Sequence, residues 1–238
     1  MTEAEWLACD DPYRLMLYGP RRASRRQCLL AICGYARRIE RYIPHRTVVL
    51  YLTECEQAAD GLASIDNTND GIHNRLQALS PSFPKESPHH RLSTSLLACL
   101  FTAAMEKPYI HPASYQSVRG AVTNLMGIDP SNDELNPRLH SESWRVAWEQ
   151  EGTAQVNIIR DIFGNPFRPV AFDAEWRTST AVALAQQMYE SRDFSTMPIL
   201  ADALQDAGCV NEDILNHCRG DGPHVRGCWV VDMLLGKS

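Results

Sequence analysis

Two histidines and two cysteines fall within residues 217–228 of the stretch NHCRGDGPHVRGCWVVDMLLGK, and a single acid, Asp232, sits inside the apolar run that follows. Three chemistries use these residue types. Thiolate and imidazole are zinc ligands in tetrahedral sites, so His217, Cys218, His224 and Cys228 form a candidate metal set. A helix expected over 223–235 places His224 and Cys228 four residues apart, in reach of one ion. His217 or Cys218 then closes the site across the Gly220-Asp221-Gly222 turn. Cys209, just after Gly208, reads instead as a packed contact at a helix end. A Cys nucleophile with a His base and an Asp is the second chemistry. On the same helix, however, Asp232 lies two turns from His224 and cannot orient it.

The third reading is structural, and the sequence favours it. CWVVDMLL is apolar almost all round, the mark of a buried helix. A buried Asp232 then needs a cation, since stripping the partner from a buried pair costs roughly 3–5 kcal/mol. Arg168, Arg219 and Arg226 are the candidates for this clasp, and Arg168 stands out because Pro166 and Pro169 stiffen its turn.

The elements that must position these residues read as helices throughout. Thr2 and Glu5 have capping-box spacing and open a short helix that Asp11-Pro12 breaks. Ser24 caps a helix over 24–43 whose apolar residues keep a three-four spacing to Ile43, before Pro44. Residues 47–60 continue as a helix and close on Gly61. Further helices are expected near 92–106 and 113–126, with polar or Pro-rich loops at 63–71 and 80–90. Ser141–Phe163 fits one long amphipathic helix with Trp144, Ala147, Trp148, Ala154, Ile158, Ile159 and Ile162 on its core side. Helices over 178–190, 197–207, 212–219 and 223–235 complete an all-α chain. Its expected organisation is an N-terminal helical subdomain over 1–127, a linker over 128–140 and a C-terminal helical subdomain over 141–238, two packed multi-helix bodies.

Composition bounds the function. The 238 residues are 44% hydrophobic and 22% charged, ordinary for a globular protein with its own core. No apolar run reaches the roughly 20 residues of a membrane span, and MTEAEWLACDDP lacks the apolar core of a signal peptide. A cytoplasmic protein with reduced thiols is expected, the more so because the eight cysteines contain no C-x-x-C spacing. Residues 1–46 hold nine Arg against five acids, within a chain of net charge −6. Arg22, Arg26, Arg37, Arg38 and Arg41 on the 24–43 helix and its lead-in are therefore candidates for docking an acidic protein partner, although pairing with the chain's own acids explains them more simply. Nucleic acid is a less favoured partner, given the acidic total and sparse aromatics. No cofactor is expected outside the 217–228 cluster, where zinc is the ion to consider. Nucleotide-binding, hydrolase, metalloprotease and EF-hand motifs are all missing from the sequence.

The strings RDIFGNPFRPV, PILADALQDAGC and ILNHCRGDGPHVRGCWVVDMLLGK, with the opening MTEAEWLACDDP, resemble a lineage-expanded family of uncharacterised bacterial proteins. The resemblance covers roughly the first 60 and last 80 residues. Relatives carry a Cys-rich ACxCCRR string where this chain has AICGYARR, leaving only Cys28 and Cys33 nearby. The resemblance implies no reaction, substrate or partner. The function expected from the residues is a non-catalytic helical protein-interaction module, with a Cys/His metal-binding or thiol-dependent protein centred on 217–228 as the alternative.

Overall fold

The computed structural model describes residues 1–18, 23–40, 46–64, 74 and 142–237, apart from the side chains of Ile39, Thr47, Ser143 and Trp144. Among the described residues the protein is all-helical, with nine α-helices, one 3₁₀ turn and no strand. None of these helices is long and apolar enough to cross a membrane. The expected linker 128–140, the helices near 92–106 and 113–126, Arg22 and Arg41 lie outside the described residues. The chain divides into two compact units, one of Met1–Cys9 with Asn157–Ser238 and one of Asp10–Val156.

In the unit Asp10–Val156, helix α2 (Pro12–Tyr18) stands where the sequence suggested only a break. Proline suits a first helical turn because its missing N–H has no partner there anyway, and Asp11 Oδ1 accepts the Tyr13 N–H at 2.9 Å. Helix α3 (Arg25–Glu40) starts as expected at Ser24, whose Oγ accepts the Gln27 N–H while Gln27 Oε1 accepts the Ser24 N–H. Helix α4 (Arg46–Ala59) packs on α3, burying Val48, Tyr51, Leu52 and Cys55 at helical spacing against a face that includes Leu29, Ile32 and Ala36. Each buried aliphatic of this kind contributes roughly 1.5–3 kcal/mol. Helix α5 (Glu142–Phe163) is the long helix expected, and the division between the units falls within it.

The other unit opens with helix α1 (Glu3–Ala8), closed by the Thr2–Glu5 capping box and buried through Trp6. Arg160 Nη2 donates to the Trp6, Leu7 and Cys9 carbonyls at 2.8–2.9 Å. After the 3₁₀ turn Ala174–Trp176 come α6 (Ser179–Ser191), α7 (Met197–Asp206), α8 (Glu212–Arg219) and α9 (Trp229–Leu235). Thr178 caps α6, and Asn211 caps α8 by accepting the Asp213 and Ile214 N–H groups. Ala185, Met188, Leu200, Leu204, Ile214, Val231 and Leu234 meet in one core. The last helix is shorter than the 223–235 expected. Gly222 (φ 75°) and Gly227 (φ 98°) adopt left-handed backbone, so residues 221–227 form an irregular loop and Cys228 is the N-cap residue.

Candidate metal centre

The loop ahead of α9 brings together side chains that a continuous helix would have spread along a stripe. Asp161 on α5, His217 on α8, His224 in the loop and Cys228 at the start of α9 offer ligand atoms that all lie within 4.8 Å of one another. His224 Nδ1 is 2.7 Å from Asp161 Oδ1, and His217 Nε2 is 3.1 Å from the same oxygen. His217 Nε2 is also 3.2 Å from Cys228 Sγ. The Val225 N–H donates to Asp161 Oδ2 at 2.8 Å, which turns Oδ1 toward the histidines. The two imidazoles meet edge to face at 4.9 Å, and Trp229 lies against His217 at 5.1 Å between centroids.

These distances bracket those between the ligands of a tetrahedral ion. Zinc bonds of about 2.0–2.3 Å to oxygen, nitrogen and sulfur give ligand–ligand edges of about 3.3–3.6 Å. The cluster is tighter than that where polar contacts join its members and spans up to 4.8 Å overall. The donor set of one thiol, two imidazoles and one carboxylate suits zinc.

The electrostatics describe a buried, polarised group. Burial favours the neutral form of Asp161, whose side chain is 3% exposed. Hydrogen bonds from His217 and His224, together with their charge, outweigh that and hold its carboxyl below the usual range. Burial likewise opposes a charged His224, but the bond and charge of Asp161 raise it above the ordinary histidine value. The Gly220 carbonyl adds to that rise without reaching hydrogen-bonding geometry, and His224 Nε2 remains buried with no hydrogen-bond partner. Burial pushes the Cys228 thiol well up, and the Asp161 charge pushes it further.

A nucleophile–base–acid chain is poorly served here. A histidine relay uses one ring nitrogen toward the nucleophile and the other toward the acid, whereas His217 turns the same Nε2 to both Cys228 and Asp161. Nor does the stripe His224, Cys228, Asp232 form, because its first half is not helical.

Three of the four residues expected as metal ligands are in the cluster. Cys218 is the exception. It follows His217 on α8, and neighbours on a helix point about 100° apart, so it enters the core, where burial pushes its thiol up to about 12. Asp161 takes the fourth place, and sequence reasoning missed it. Its one signal was an acid set between Ile158, Ile159 and Ile162 on the core side of α5.

Two arginines of the expected clasp, Arg168 and Arg219, go elsewhere. Arg168 pairs with Glu3 and, at 3.7 Å, with Asp213. Arg219 bonds Asp202 and Gln205. Arg168 and Arg219 therefore do not bridge to Asp232, because acids on α1, α7 and α8 lie within their reach. The Arg226 guanidinium lies 4.3 Å over the Tyr189 ring. Asp232 is buried on α9, as its apolar neighbours suggested. On α3, Arg26 pairs with Asp60, Arg37 with Glu56 and Glu40, and Arg38 with Glu151 through a two-pronged contact of 3.0–3.1 Å. These three candidates for partner binding all engage the chain's own acids. None of the seven described cysteines forms a disulfide.

Compared with protein-family models, curated proteins and solved structures, the chain matches none.

Proposed function

We propose that this protein is a non-catalytic helical module whose C-terminal unit binds zinc at Asp161, His217, His224 and Cys228. The convergence of these four donors, from three helices and one loop, within 4.8 Å carries the reading. Zinc held there would cross-link α5, α8 and α9. Four protein ligands complete a tetrahedron and leave no open position, which is the pattern of a structural ion rather than a reactive one. On this reading the protein acts through what its surfaces bind, and the free thiol ligand suits a reducing compartment such as the cytoplasm.

Elemental mass spectrometry on tag-free, full-length protein tests the proposal. About one zinc per chain is expected, with a large drop in melting temperature when a chelator removes it. Metal-free protein that gains no stability from added zinc would overturn it.

A further inference from the structure

The N-terminal helix α1 is anchored in part by side chains close in sequence to the proposed zinc ligands. Arg160 immediately precedes Asp161, and its Nη2 gathers three carbonyls at the C-terminal end of α1. Those carbonyls belong to the group that every helix end leaves without intrahelical partners. Asn165 Nδ2 donates to Glu3 Oε1 at 2.8 Å. Arg168 pairs with Glu3 on one side and Asp213 on the other. Asp213 stands one helical turn before His217 on α8. These anchors of α1 thus come from α5 and the turn after it, and one of them, Arg168, also pairs with α8; α5 and α8 each contribute a ligand.

We infer that zinc at this centre controls the docking of α1, so that the loaded protein holds the helix down and the metal-free protein releases it. This rests on the reading of the cluster as a zinc site. A helix of six residues is too short to persist unsupported, so α1 is helical only while docked. Without metal, Asp161 and His217 meet through a polar contact of 3.1 Å, whereas an ion common to both would fix the end of α5 against α8 more tightly. That fixes Arg160 relative to the Arg168–Asp213 pair, and with them the cradle of α1. By linkage, docking must strengthen zinc binding by the same factor by which zinc strengthens docking. Release exposes Trp6, which is 1% exposed when docked, and turns a buried apolar anchor into surface.

Hydrogen exchange read by mass spectrometry on the full chain tests this, with zinc sulfate in one arm and chelator in the other. The amides of residues 5–9 should exchange about tenfold or more slowly in zinc, the scale on which groups just outside a metal's ligand shell act. Stoichiometric zinc that protects 214–218 and 225–232 but leaves 5–9 unchanged would overturn the inference while sparing the site. Elemental analysis of the same samples showing no zinc would overturn both. In the reciprocal arm, Arg160→Gln should loosen 5–9 and weaken zinc binding by a matching factor. Asn165→Ala, which leaves Arg160 in place and removes one bond to Glu3, serves if the first variant misfolds. Zinc affinity unchanged in a variant whose α1 has come loose would refute the coupling.

Discussion

Replacing Asp161 by Asn removes one charge and almost no volume, so it probes the centre without opening a cavity. Asp161 is buried and accepts three hydrogen bonds, from His224, His217 and the Val225 N–H. The amide oxygen can retain one of them. The two bonds to histidine are charge-assisted and worth roughly 1.5–3 kcal/mol each. Breaking one side of a buried ion pair costs roughly 3–5 kcal/mol in total, and that range is the expected loss for the metal-free protein. At roughly 2–4 °C per kcal/mol for a chain of this size, the melting temperature should fall by about 6–20 °C. A second effect appears with metal. Zinc at a hundredfold excess over its dissociation constant stabilises the wild type by about 2.7 kcal/mol, and the variant should lose most of that increment. Thermal melts of both proteins, in chelator and in zinc, separate the two effects. A variant melting within a degree of wild type in chelator would mean the buried pair contributes nothing. An undiminished zinc increment would mean Asp161 is no ligand.

The pH dependence of stability should reverse sign with metal. Asp161 is held low, so its contribution is present above about pH 4 and lost as pH falls through its lowered value; His224 is held high, so its contribution is complete below about pH 6.5 and lost as pH rises through its raised value. Metal-free protein should therefore be favoured between these limits, while the zinc increment should grow toward pH 8 as imidazole and thiol protons leave; melts across pH 5–8 that show parallel slopes would contradict this. Gly222→Ala puts a Cβ 2.8 Å from the His224 backbone nitrogen at a φ of 75°. It should cost about 1–3 kcal/mol and weaken zinc binding about tenfold, measured by denaturation and competition titration, whereas Gly208→Ala, with open space around it, should leave zinc affinity unchanged. In the Arg38–Glu151 pair the carboxylate side chain is 0% exposed and the guanidinium 31%. Arg38→Ala strands a buried charge and should cost roughly 3–5 kcal/mol, while Glu151→Ala leaves an arginine that can turn to water and should cost distinctly less; equal losses in urea titrations would refute that asymmetry.

Most of the helical architecture was legible because its signals are local. Thr2 and Ser24 mark starts, and the three-four spacing of apolar residues marks the buried faces. Two local misreadings have clear causes. Pro12 starts α2 although Asp11-Pro12 reads equally well as a break, since proline suits a first turn and forbids a continuing one. The pattern HVRGCWVVDMLL suits a helix from Pro223, but the left-handed Gly227 stops that helix until Trp229. The candidate site was half legible. His217, His224 and Cys228 share a short window that any search for ligand types finds. Asp161 lies 63 positions from His224, and only the packing of α5 brings it in. The destinations of Arg168 and Arg219 were equally remote, since both choose among acids that only the tertiary fold sets within reach.

The placing of the donors along the chain also orders their assembly. His217 and Cys228 are separated by 11 positions, with His224 between them, so closing that segment carries a small entropy cost and takes on the order of 10–100 ns. Asp161 must be recruited across a much longer loop. If the centre takes zinc as proposed, an unfolded chain already holds three of its four donors close in sequence, and an ion captured there would template α8 and α9. The same three donors would let the denatured ensemble compete for the ion. On that reading zinc would yield less net stability than its native affinity alone implies.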